Sequence, residues 1–192
     1  MDFEAFFTHI LMHEVMHGLG PTNTGPNGSG GGVRQAIREL YSTIEEAKAD
    51  ITGLWALQKL MDKGVIDRAG ERRMYTTYLA SAFRTLRFGM DDAHARGMAM
   101  QVNYLLDAGA YGVNAGGTFS VNTAKAKKAV AGLSHELLTI EATGDYDGAK
   151  RFLEKMVVMR PEVKAVLDRL GDVPVDIRPR FVTADDLERE FP

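Results

Sequence analysis

The chain has 192 residues, enough for one ordinary domain or slightly more, and its 45% hydrophobic and 26% charged content matches a soluble globular protein. Its 23 basic and 26 acidic residues leave a net charge of -3, which argues against a nucleic-acid or membrane-surface binder, since those carry a basic excess. Cysteine is absent, so disulfides and thiolate ligands are excluded, and any metal must be held by His, Asp or Glu.

No apolar run approaches the roughly 18 residues that a membrane-crossing helix needs. The first residues, Met1-Asp2-Phe3-Glu4, carry acids where a secretory signal would carry bases. A cytoplasmic protein is expected.

The periodicity is helical nearly throughout. Phe3, Phe6, Phe7, Ile10, Leu11 and Val15 recur at helical spacing over 2–18, and Gly18, Gly20 and Pro21 end the pattern. From Gly20 to Gly32 the chain is rich in Gly, Pro and Asn and reads as a loop. Residues 33–63 read as one long helix with a buried stripe of Val33, Ile37, Leu40, Ile44, Ala47, Ile51, Leu54 and Leu57, closed by Gly64. A third helix runs from Ala69 to Phe88, and a fourth, capped by Asp91 or Asp92, reaches Leu106.

Residues 110–121, with Gly112, Gly116 and Gly117 around Val113 and Phe119, suit a short hairpin or loop. Asn122 or Thr123 opens a helix to Thr143, Asp145 opens another, and Pro161 sits in the first turn of one that stops near Gly171. Residues 172–182 read as extended, and Thr183 caps a terminal turn. The expected fold is mainly α with one short hairpin or extended segment, and no internal repeat or domain boundary interrupts residues 1–192.

One motif carries chemistry: His13-Glu14-Val15-Met16-His17. Positions i and i+4 of a helix share a face, so His13 and His17 can grip one cation through their imidazole nitrogens. Glu14, one residue along, can reach a metal-bound water without itself ligating. A zinc hydrolase needs this combination of neutral ligands and a positioned general base. The bland alternative is an amphipathic helix whose polar face happens to hold two histidines.

A third ligand separates the two readings. The extended form of the motif places Gly three residues after the second histidine and a third histidine three further on. Gly20 fits, but Asn23 occupies the ligand position, so that form fails. A carboxylate from a later helix is the other choice, and Glu45-Glu46-Ala47-Lys48-Ala49-Asp50 supplies it. Glu46 and Asp50, four apart, share a face. One can ligate while the other holds a ligand histidine by its free ring N–H, provided that the two helices pack antiparallel. Without such packing, the same stretch is a solvated helix face.

Phe6-Phe7-Thr8-His9-Ile10-Leu11-Met12-His13-Glu14-Val15-Met16-His17-Gly18-Leu19-Gly20-Pro21 and Glu45-Glu46-Ala47-Lys48-Ala49-Asp50-Ile51-Thr52-Gly53-Leu54 resemble the bacterial branch of the dipeptidyl peptidase III family of zinc peptidases. The likeness extends to Asp92-Ala93-His94 and to Pro174-Val175-Asp176-Ile177-Arg178-Pro179. The resemblance implies one Zn2+ per chain on His13, His17 and Glu46, with Glu14 activating the water. It further implies that Glu45 and Asp50 support the ligands, that His94 stabilises the transition state, and that the substrate is a peptide. Two departures stand out. Animal and yeast members carry one more residue between the histidines, and they place an Arg where this chain has Met98. Family members are also much longer, with a lobe preceding the zinc motif. The chain is therefore expected to be a single helical zinc-binding domain, the C-terminal portion of a larger peptidase. The rival expectation is a catalytically incomplete zinc module that needs that missing lobe or a partner.

Other features are read as structural. His9, one turn before His13, is expected on the surface. The glycine-rich loop lacks the Gly-Lys-Ser/Thr ending of a phosphate cradle and is expected to be a flexible connection. Arg38-Glu39-Leu40 with Glu45-Glu46 faintly echoes the box of nucleoside-diphosphate-linked hydrolases, but the spacing is wrong and the preceding Gly-to-Glu interval is missing. His135-Glu136 reads as an ordinary helix pair, and Lys125, Lys127 and Lys128 as a solvated helix face. Trp55 and the ten methionines are expected in the core.

Overall fold

The structure, a computed structural model, describes residues 2–173. Its elements are α1 (Phe3–His17), α2 (Val33–Ile37), α3 (Tyr41–Asp62), α4 (Glu71–Leu86), α5 (Ala93–Asp107), β1 (Tyr111–Val113), β2 (Phe119–Val121), α6 (Thr123–Thr143), α7 (Tyr146–Met156) and α8 (Pro161–Leu167). The fold is mainly α, with β1 and β2 as a short antiparallel hairpin in the expected place. Among the described residues, no helix is long and apolar enough to cross a membrane. The expectations over 174–183 lie outside the described residues.

Short polar side chains start these helices. Asp2, Asp92, Asn122 and Asp145 each accept a hydrogen bond from the backbone N–H three residues on, which satisfies a donor that the first turn leaves free. Gly144 closes α6 in the left-handed conformation, which costs glycine nothing.

The core is organised around α3, against which α1, α5 and α6 pack. Ile44, Ile51 and Leu54 of α3 are fully buried, joined by Tyr75, Met100 and Leu133 from its neighbours. Glycine permits two of the close approaches. A Cβ on Gly53 would lie 3.2 Å from the backbone at Met12 and His13, and one on Gly97 would lie 3.3 Å from Ala47 and from the Thr43 carbonyl. The first contact brings the histidine-bearing face of α1 down onto α3.

The long second helix expected over 33–63 is broken. Arg38 adopts φ 52, ψ −126, and a 3-10 turn over Arg38–Leu40 separates α2 from α3. Tertiary contacts hold this costly backbone. The Tyr146 hydroxyl donates to Glu39 at 2.5 Å, and the Arg38 guanidinium lies 5.1 Å from the centre of the Tyr146 ring.

Other corrections concern burial. His9 is buried, since its Nε2 pairs with the Asp50 carbonyl at 3.0 Å and its ring packs edge-on against Tyr78. Trp55 is 39% exposed, stacked beneath the Lys59 ammonium rather than in the core. The glycine-rich loop is tied down, with Asn23 bridging to Gly32 and the Thr24 N–H donating to the Gly31 carbonyl at 2.9 Å.

Candidate metal centre

α1 and α3 run antiparallel, with His9 and His13 opposite Asp50 and His17 opposite Glu45. His13 Nδ1 donates to Asp50 Oδ1 at 2.8 Å, and His17 Nδ1 donates to Glu45 Oε2 at 2.6 Å. An ionised carboxylate can only accept, so both rings carry their proton on Nδ1 and turn the lone pair of Nε2 away from these partners. The two Nε2 atoms then face each other at 2.9 Å. Glu46 Oε2 lies 3.4 Å from one and 3.6 Å from the other.

This arrangement needs a positive charge. Two imidazole lone pairs and a carboxylate oxygen repel one another unless a ring takes a second proton or a cation sits among them. Glu46 Oε2 is buried and accepts no hydrogen bond, although His94 Nε2 also lies 3.0 Å away. His13, His17 and Glu46 each present one ligand atom to this point, and all three lie within 4.8 Å of one another. Around them, the Lys48 ammonium pairs with Glu45, while the carboxylates of Glu46 and Asp50 face histidine nitrogens, a set that suits a divalent ion. A mixed N/O donor set of this kind fits zinc.

The ionisation states point the same way. Burial disfavours a charged His13, but its hydrogen bond to Asp50 and the charges of Asp50, Glu46 and Glu14 outweigh it and raise its pKa. Burial likewise pushes Asp50 up, and the bond from His13, the neighbouring His9 and the amide of Gln101 bring it below its ordinary value. Glu45 is raised by burial and lowered further by its bonds to His17 and Lys48. The site is rich in negative charge, which favours either a second proton on His13 or a bound cation.

Support extends outward from the ligands. Lys48 Nζ donates to Glu45 Oε1 at 2.9 Å and to the carbonyls of Met16 and Leu19 at 2.9 and 3.0 Å, which pins the end of α1 to α3. Gln101 Nε2 donates to Asp50 Oδ2 at 3.0 Å, and the Tyr78 hydroxyl donates to Gln101 Oε1. Sequence reasoning singled out neither Gln101 nor Tyr78. The one available signal was that Gln101 follows His94 by two helical turns on α5.

Glu14 and His94 are exposed and line a cleft of about 210 Å³ beside His13, with Phe6, Tyr78 and Arg84 among its walls. His94 stacks parallel to His13 with ring centres 6.2 Å apart. The structure thus brings all seven expected site residues around one point, five about the ligand atoms and two in the adjoining cleft.

The comparisons with known proteins name two chemistries. A dipeptidyl-peptidase III from Corallococcus sp. strain EGB superposes with a TM-score of 0.90 at 54% identity, over 100% of this chain and 36% of that one. DPP III from Caldithrix abyssi superposes with a TM-score of 0.90 at 42% identity, over 97% of this chain and 36% of that one. A curated Arabidopsis thaliana protein named Nudix hydrolase 3 is 45% identical over 190 residues, 97% of this chain but 25% of that protein. No protein-family model matches the chain. The chain therefore spans a quarter of the curated relative and just over a third of each solved structure. The plant protein's name finds no counterpart in the site: Arg38–Leu40 forms a 3-10 turn, while Glu45 and Glu46 face the histidines of α1.

Proposed function

Since the chain matches a portion of bacterial dipeptidyl-peptidase III, we propose that it is the helical zinc-binding domain of a larger metallopeptidase that hydrolyses peptide bonds. The observation that carries this reading is the convergence of His13 Nε2, His17 Nε2 and Glu46 Oε2, a buried oxygen that accepts no hydrogen bond. His13, His17 and Glu46 would hold a zinc ion, which would supply a Lewis acid for the scissile carbonyl and lower the pKa of a water so that a nucleophile is available at neutral pH. Cytoplasmic residence accords with the cysteine-free composition.

Each residue has a distinct task in this proposal. Asp50 and Glu45 fix the tautomers of His13 and His17 so that both Nε2 lone pairs remain available. Glu14, on the cleft side of the same helix turn, accepts the proton of the attacking water and passes it to the departing amine. His94, which lines the same cleft, donates from its ring nitrogen to the oxyanion, a contact whose loss costs about 10²- to 10³-fold in rate in comparable sites.

A specific observation favours a second reading, in which the chain binds zinc but needs a further lobe for turnover. Phe3, Phe7, Ile10, Leu11 and Val15 are all exposed on α1, with Phe3 at 73%. Glu14 emerges from the midst of them. An apolar helix face of this kind marks a contact surface, and here it borders the proposed cleft. One experiment separates the readings. Zinc content and peptide turnover are measured for the wild-type chain and for Glu14→Gln. The enzyme reading predicts full zinc in both and turnover at least 10²-fold lower in the variant. Full zinc without turnover in either selects the incomplete module, and loss of zinc in Glu14→Gln contradicts its assignment as base.

A further inference from the structure

Two helices that carry none of the three ligands, α4 and α5, reach the metal centre through a buried string of hydrogen bonds. Asp50 Oδ1 accepts from His13 Nδ1 at 2.8 Å, and Asp50 Oδ2 accepts from Gln101 Nε2 on α5 at 3.0 Å. Gln101 Oε1 in turn accepts from the Tyr78 hydroxyl on α4. The backbone carbonyl of Asp50 accepts from His9 Nε2 on α1 at 3.0 Å, and the His9 ring meets the Tyr78 ring edge-on with centres 4.9 Å apart. His9, Asp50, Gln101 and Tyr78, one from each of four helices, thus close a ring beside His13. Gln101 is fully buried and Tyr78 is 2% exposed, so bulk water does not compete for these bonds.

The direction of each bond is fixed. An ionised carboxylate only accepts, so the amide of Gln101 turns its NH2 toward Asp50 and its oxygen toward Tyr78, whose hydroxyl then donates. The reversed amide would set two acceptors against each other in a dry interior, which is costly. Donation by Tyr78 polarises the amide and strengthens its N–H as a donor to Asp50. With Oδ2 occupied in this way the carboxylate is held against rotation, and Oδ1 stays aligned with His13 Nδ1.

We infer that Gln101 and Tyr78 are positioning residues: they lock the Asp50 carboxylate, and through it the His13 ring, so that His13 Nε2 is held toward His17 and Glu46. The inference rests on the zinc centre proposed above and adds to it two residues that offer the ion no ligand atom. Without Gln101, Asp50 Oδ2 is left as a buried acceptor with no partner, and the carboxylate regains the freedom to turn.

The test uses the full chain, with Gln101→Met to keep the volume without the amide and Tyr78→Phe to remove a single oxygen. Zinc affinity is read by competition with a chelating dye, and the His13 Nδ1–H proton of the zinc-free chain is followed by NMR for its exchange with solvent. The expected result is about 10-fold weaker zinc binding in Gln101→Met, a loss in the same direction in Tyr78→Phe, and no further loss when the two are combined, because Tyr78 acts through Gln101. The His13 proton exchanges faster in each variant. A purely structural role predicts lower stability in denaturant, with zinc affinity and proton exchange unchanged in the folded variants, and that result overturns the inference. A double variant weaker than Gln101→Met alone overturns the part assigned to Tyr78. Should Gln101→Met fail to fold, Tyr78→Phe decides by the same two readouts. Wild-type chain that binds no zinc counts against the zinc centre, while exchange of the His13 proton still judges the positioning.

Discussion

Glu46 and Asp50 stand one turn apart on α3, and both face the histidines of α1, yet their surroundings set them different tasks. Asp50 is sealed between His13 Nδ1 and the Gln101 amide, with both oxygens engaged. Glu46 has a buried oxygen that accepts no hydrogen bond and has only histidine nitrogens beside it. In the proposed centre the first orients and the second ligates. Asp50→Asn keeps the shape but removes the charge that fixes the His13 tautomer. It is expected to weaken zinc binding by about 10- to 100-fold while leaving the fold intact, as read by competition with a chelating dye. Affinity unchanged in that variant would mean that Asp50 has no part in orienting His13. The sequence spacing made His13, His17 and the acidic pair legible, because i and i+4 on a helix allow few alternatives. It could not distinguish buried His9 from a surface histidine. What buries His9 is the Asp50 carbonyl and the Tyr78 ring, both remote in sequence.

At the scale of elements, the site depends on how closely α1 can approach α3. Gly53 sets that distance, since any Cβ there meets the backbone of Met12 and His13. Gly53→Ala is therefore expected to destabilise the chain by about 1–3 kcal/mol in chemical denaturation and to lower zinc affinity with it, by pushing His13 away from Glu46. Unchanged stability and affinity would show that the helices yield without cost. The hydrophobic stripe on 33–63 correctly marked the face that enters the core, and Val33, Ile37, Ile44 and Leu54 are all buried. It did not disclose the break at Arg38. A period continues across such a break, and the contacts that hold the reversed backbone come from Tyr146 on α7, more than 100 residues away. The cap at Asp145, and those at Asp92 and Asn122 to within one residue, were legible because capping is a local interaction.

Over the whole molecule, buried charge ties stability to pH. The pKa of Glu141 is raised to about 7 in the fold, above its value in the unfolded chain. Its contribution is fully present below the unfolded value, near pH 4.5, and is lost as pH rises through 7. The difference amounts to at most about 3 kcal/mol. Thermal melting of the zinc-loaded chain at pH 5 and pH 8 is expected to fall more for wild type than for Glu141→Gln, and equal falls would place the titration elsewhere. The mainly α architecture was legible from periodicity alone, whereas the exposure of Phe3, Phe7 and Leu11 was not. Apolar spacing reports that a face seeks cover, without saying whether the cover lies within the chain. The proposed function passes through the three atoms on His13, His17 and Glu46. Their most direct test is the metal content of the purified, tag-free chain by mass spectrometry, beside that of Glu46→Ala. One equivalent of zinc in the wild type, lost or strongly weakened in the variant, is the predicted result. Wild-type chain that stays free of zinc after reconstitution, or a variant that retains it undiminished, would contradict the proposed centre.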